Sequence, residues 1–392
     1  MDHAARNVFL LACCQALLFT NNVTLISLNG LAGFALADNK ALATLPVTGY
    51  VVGAALSTFP ASMWMRRVGR RNGFLTGTLF GLAGGAITTL AIWQQSFWLL
   101  VFGTLVLGTY NAFGQYYRFA AADATPIGWR PRAISLVMAG GLVGGIIGPE
   151  MSKHTIGLVS PTYLASYASL MGFCLVTMVI LAMLRIPTPK AEEAHGPTRP
   201  LKEIMAQPTF IVAVVVAALG YGVMNLLMTS TPLAMGFCGH PYAAAASVIS
   251  AHVIAMFGPS FFTGSLIQRF GVLNVMMAGV AMMFACVGIA LSGQLVTHFW
   301  WSLVLLGVGW NFMYVGGTTL LTEAYHPAEK AKTQGANEIL IFCTTATSSF
   351  TSGVLVNASG WNTLNYVALP FLAIAGAAAL WLALRRRAAT PS

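Results

Sequence analysis

The chain is poor in charge. Of its 392 residues, 10 are acidic and 20 are Lys or Arg, together 8%, where a soluble domain carries about 25%. A water-soluble globular protein needs far more polar surface, so that class is excluded. Alternating ten-residue strands are missing too, which excludes a transmembrane β-barrel. The six cysteines include no Cys-x-x-Cys pair and no metal-finger spacing. No phosphate-binding loop, catalytic triad or metal-hydrolase motif is present. The chain therefore reads as neither an enzyme nor, by itself, an ATP-driven pump, and no resident cofactor is expected. No segment reads as a cleaved signal peptide, because the first apolar stretch is too long for one.

What is abundant is apolar sequence: 57% of residues are hydrophobic and the mean hydropathy is +0.75. A helix needs about 20 apolar residues to cross a bilayer. Twelve segments suffice: 8–35, 42–65, 73–92, 97–121, 133–157 and 163–184, then 209–236, 243–267, 272–292, 298–321, 334–356 and 363–384. The expected fold is an all-α integral membrane protein. Its domains are a six-helix bundle over 1–184, a cytoplasmic linker over 185–208 rich in Pro and charge, and a second six-helix bundle over 209–392.

The net charge of +10 is a topology signal and does not argue for nucleic acid. With twelve spans both termini share a side. That side carries all the Lys and Arg except Lys40 and Lys153. By the positive-inside rule it is the cytoplasm. The expected location is a bacterial inner membrane, crossed many times, with lipid as the surrounding partner.

The two halves repeat. Arg67, Gly69, Arg70 and Arg71 follow the second span, and Arg269 and Gly271 follow the eighth. Gly69 and Gly271 are 202 positions apart, and Asn111 and Asn311 are 200 apart within matching Gly-to-Asn stretches. Pro126 and Pro327 follow in the next loops, each trailed by basic residues. A shared offset near 200 marks a duplicated half. These residues resemble the signature loop of the major facilitator superfamily, Gly-x-x-x-Asp-Arg-x-Gly-Arg-Arg. The match departs at Ser62 for the first Gly and at Arg66 and Gln268 for the two Asp. The resemblance implies two pseudo-symmetric six-helix bundles, gating loops at these positions, a midplane substrate site and alternating access.

Two pairs of soft ligands stand out. Met224 and Met228 lie in the seventh span, and His252 and Met256 in the eighth. Each pair is spaced i, i+4, so its members share a helix face. An antiparallel hairpin turning near His240 puts all four at similar depth. His252 is about nine residues into its span, roughly 14 Å down, where an ionisable residue is costly and reads as functional. Three thioethers and an imidazole suit Cu(I). Met235, Cys238 and His240 would collect the ion at the outer mouth. The pairing resembles the CcoA-type copper importers. That resemblance implies import of copper as transported substrate, its use in haem–copper oxidase assembly, and copper donors or chaperones on either side. The same clade includes riboflavin transporters.

The alternative cargo is therefore riboflavin or another flat organic solute, held by Tyr110, Asn111, Trp310 and Asn311. A third reading is a membrane copper sensor that binds without transporting. Asp123, Glu323, Glu329 and Glu338 are expected at cytoplasmic span ends and Glu150 near an outer end. No mid-membrane carboxylate stands out, so the expected driving force is the membrane potential, about 2.3 kcal/mol per charge per 100 mV. The two-bundle design is expected to work as a monomer.

Overall fold

The computed structural model describes residues 3–39, 42, 45–186 and 198–388. Among these residues there is no strand. Lys40, Lys190, His195, the Lys153 side chain and the linker over 187–197 lie outside them. The helices are α1 (His3–Leu36), α2 (Leu45–Trp93), α3 (Phe97–Gly114), α4 (Tyr117–Asp123), α5 (Arg130–Thr155), α6 (Leu164–Ala182), α7 (Leu201–Met205), α8 (Pro208–Phe237), α9 (Tyr242–Phe257), α10 (Ser260–Phe270), α11 (Val272–Ser292), α12 (Val296–Leu321) and α13 (Lys330–Ala388).

Nine helices among the described residues are long and apolar enough to cross a membrane, ten if the bent pair α9–α10 counts as one span. The twelve expected spans are not matched one for one, and two breaks explain much of the difference. Helix α2 has 49 residues, roughly 74 Å at 1.5 Å per residue, against a hydrocarbon core of about 30 Å. It must therefore cross twice. The expected loop at 66–72 is reduced to a kink at Gly69, where φ is 82°, a conformation that only glycine adopts cheaply. Helix α13, with 59 residues, breaks in the same way at Gly360. Helices α9 and α10 meet at 42°, because Pro259 cannot donate to the helical ladder.

The chain forms two compact units. One holds Met1–Pro126, Leu136–Pro197 and Pro327–Ile339, and the other Ile127–Ser135, Thr198–His326 and Leu340–Ser392. The starts of α5 and α13 thus belong to the unit of the opposite sequence half.

In the first unit, α2 and α3 touch backbone to backbone. A Cβ at Gly53 would lie 2.0 Å from the Leu105 carbonyl oxygen, and one at Gly108 would lie 2.2 Å from that of Tyr50. Small residues permit such approach between membrane helices, where dispersion replaces the hydrophobic drive. In the second unit, Gly307 of α12 meets the His252 carbonyl oxygen at 2.8 Å and the Met256 nitrogen at 2.9 Å, measured from its missing Cβ. That contact sets the register of α9 on α12.

Candidate functional site

Within the second unit the α9–α12 register decides the fate of His252. Its Nδ1 lies 2.7 Å from the Leu303 carbonyl oxygen. A carbonyl only accepts, so Nδ1 carries the proton and Nε2 keeps its lone pair. Nε2 is buried and has no hydrogen-bond partner among the described residues. His252 is thus committed to α12 through one nitrogen. Met224 and Met256 are buried, and Met228 is half-buried. No group of three or more His, Cys, Asp or Glu is arranged to hold a metal among the described residues.

The outer cluster is a tether. Cys238 donates to Gln294 Oε1 at 3.4 Å, and His240 Nε2 bonds the Gln294 carbonyl at 2.7 Å. Together they tie the end of α8 to the segment before α12. Met235 is fully buried beneath them.

Close by in sequence, but missed by spacing arguments alone, is an aromatic cluster. Trp310 stacks on Tyr314, one turn along α12, with centroids 5.0 Å apart and planes at 17°. Tyr221 of α8 meets both rings edge-on, at 5.4 Å and 5.3 Å. Phe257, the last residue of α9, meets Trp310 at 5.7 Å. Trp310 is 1% exposed, and its indole Nε1 has no hydrogen-bond partner among the described residues. Leaving such a donor unmet costs about 1–3 kcal/mol, so the cluster is built around a missing acceptor. One turn beyond Tyr221, Asn225 Nδ2 donates to Ser348 Oγ at 3.0 Å and Ser349 Oγ at 2.6 Å. The i, i+4 pairs Tyr221/Asn225 and Trp310/Tyr314 were the available signal.

Asn311, expected to contact an organic cargo, is fully engaged elsewhere. It donates to the Met256 carbonyl at 2.7 Å and to Ser260 Oγ, and accepts from Thr263 at 2.7 Å. It staples the α9–α10 break, satisfying a carbonyl that the kink frees.

In the first unit, Asn111 does join a polar group. Its Oδ1 accepts from Asn22 at 3.0 Å and from Gln115 at 3.1 Å. The Tyr50 hydroxyl donates to Asn22. Tyr110, next along α3, turns away, and its ring packs over Gly81. Tyr110 and Asn111 therefore serve different faces.

The gating residues divide likewise. Arg70 is buried and pairs with Asp123 at 3.0 Å, and Lys330 reaches the same carboxylate at 2.9 Å. These three and Gly69 line a small cavity with Ser62, Met65 and Arg66. Arg71 donates to the Ala182 carbonyl at 2.8 Å, while Arg67 is exposed. In the second unit Arg269 lies over the Phe270 ring at 5.2 Å, and Gly271 ends α10 with φ of 86°. Glu338, expected at a span end, instead makes a buried ion pair with Arg118.

Comparison with known proteins places this geometry. A family model described as Major Facilitator Superfamily matches residues 8–339 and 239–392. The riboflavin transporter RfnT of Brucella anthropi is 42% identical over 374 residues, 95% of this chain and 94% of that one. The uncharacterized MFS-type transporter YddS of Bacillus subtilis is 28% identical over 364 residues, 87% of this chain and 82% of that one. In structure the chain is similar to the transporter FucP solved in the outward conformation, with a TM-score of 0.78 at 16% identity. That match covers 95% of this chain and 98% of the other, and it concerns the fold.

Proposed function

The chain belongs to the major facilitator superfamily and is a multi-pass membrane transporter, and from that premise we propose that its cargo is riboflavin or another flat organic solute. The observation that carries this reading is Trp310: a fully buried indole whose N–H lacks an acceptor, set in a cluster of three further aromatic rings. A planar heteroaromatic ring offers π-faces for such a platform and carbonyl or ring-nitrogen acceptors for the donor. The 42% identity with a riboflavin transporter supports the same cargo. Asn22, Tyr50 and Asn111 are a second candidate contact, in the other unit. Copper is the weaker reading. The open Nε2 of His252 favours it, but its other nitrogen is held by α12, and no relative named above is described as a copper carrier.

The proposal includes import across a bacterial inner membrane by a monomer, with sequence halves 1–184 and 209–392 as its duplicated bundles. The test is uptake of radiolabelled riboflavin into proteoliposomes holding the purified protein. Saturable uptake that unlabelled riboflavin abolishes and Cu(I) leaves alone supports the reading. Copper accumulation without riboflavin uptake overturns it and moves the site to Met224, Met228, His252 and Met256.

A further inference from the structure

Arg118 on α4 and Glu338 on α13 form an ion pair whose side chains are 2% and 1% exposed. Both lie within the first compact unit, and nothing in flavin recognition requires them. Two charges inside a membrane protein persist only while paired, and losing one partner leaves the other strongly destabilised. Glu338 also accepts from Asn337 at 2.6 Å.

The pair is the end of a chain of hydrogen bonds. Arg118 Nη1 donates to the Gln115 carbonyl at 3.1 Å and to its side-chain Oε1 at 3.3 Å. Gln115 Nε2 donates to Asn111 Oδ1 at 3.1 Å. Asn111 in turn accepts from Asn22, which accepts from Tyr50. Holding Oε1 with Arg118 fixes the Gln115 amide, and so fixes which atom it presents to Asn111.

We propose that Glu338 carries a coupling proton, and that its state is relayed through Arg118 and Gln115 to Asn111. A proton from water on one side of the membrane adds to the Glu338 carboxylate and gives a neutral acid. Arg118 loses its counter-charge and shifts toward Gln115, so the start of α13 is released from α4. When the proton leaves to water on the other side, the carboxylate pairs with Arg118 again. Nothing else is consumed.

The charged and titratable groups around Glu338 fit this role. Arg118 faces it from α4, and Tyr116 precedes that helix with its hydroxyl donating to the Thr58 carbonyl at 2.8 Å. Arg70 of α2 bonds Gln334, one turn earlier on α13, and is itself paired with Asp123. The two arginines hold their charge throughout the physiological range, which leaves the carboxylate as the group that changes. By linkage, whatever solute occupancy does to the pair, the pair does in return to solute affinity. The solute end of the relay rests on the proposed organic cargo; the proton end does not.

The experiment has a substrate-free arm and a transport arm. Ala331 is buried on the same stretch of α13, so Ala331→Cys reports its release through reaction with an impermeant thiol reagent. Rates are normalised to free cysteine at each pH, with the parent chain as background. With Glu338 present, labelling is expected to rise about tenfold as pH falls by about two units. With Glu338→Gln added it is expected to be fast and flat. Labelling that ignores pH, or the same pH profile in both chains, overturns the proposal whatever the cargo. In proteoliposomes, Glu338→Gln is expected to abolish riboflavin accumulation driven by a pH gradient while keeping riboflavin counterflow. Counterflow retained together with gradient-driven accumulation also overturns it. Absence of counterflow in the unaltered protein counts against riboflavin alone, and the labelling arm then decides.

Discussion

Trp310 and Tyr314 stack one turn apart on α12, and the indole N–H of Trp310 has no acceptor among the described residues. The stack settles the ring positions, and the open donor is the part left for recognition. Trp310→Phe keeps an aromatic ring and removes the donor. It is expected to weaken riboflavin binding about tenfold, the effect of roughly 1.4 kcal/mol, with little change in melting temperature. Isothermal titration with riboflavin, paired with a thermal melt, checks both halves of that expectation.

The soft side chains can be tested without emptying the core. Met224→Leu, Met228→Leu and Met256→Leu together preserve volume, and such swaps each cost under about 1.5 kcal/mol. They remove every thioether of the expected copper site. Riboflavin uptake by the triple variant is expected to match the parent. A large loss at normal abundance would restore the soft-ligand reading.

Asn311 makes three buried hydrogen bonds at the α9–α10 break. Asn311→Ala leaves the Met256 carbonyl and the Thr263 hydroxyl without that partner, at a cost of about 2–4 kcal/mol. The expected outcome is a lower melting temperature with unchanged riboflavin affinity in the protein that remains folded. A selective loss of affinity at unchanged stability would return Asn311 to the cargo site.

Gly108 couples packing to the candidate site in the first unit. A Cβ there would lie 2.2 Å from the Tyr50 carbonyl, and Tyr50 holds Asn22 against Asn111. Gly108→Ala must push α2 and α3 apart. Reduced transport and a lower melting temperature are expected together, and Tyr50→Phe is expected to reproduce the transport defect without the thermal one. Uptake assays and melts on the two variants separate these effects.

Some of the site was readable from residue order. Asn111 was marked by its repeat partner, and it does sit in a polar network. Trp310 was marked in the same way, and it carries the open donor. Asn311 was marked equally strongly, yet it staples a kink, because the break at Gly258-Pro259 frees carbonyls that a straight helix would satisfy itself. His252 stood out by depth. Depth gave no direction, and the Leu303 carbonyl supplied one. Tyr221, Asn225 and Phe257 went unmarked because aromatic and amide residues are common in apolar spans and carry no spacing signal until a neighbouring helix is placed.

Composition alone determined that this chain lives in a membrane and that its elements are helices. With 8% charged residues, it has too little polar surface to face water, and backbone groups in lipid must bond within their own segment. The repeat and its basic loops were equally local properties. Tertiary structure alone decided which polar atoms are satisfied and which remain open. That depends on contacts between residues far apart in sequence, such as Arg118 with Glu338 or Asn311 with Met256. A buried donor left without a partner, like that of Trp310, can be recognised only once every neighbour has been placed.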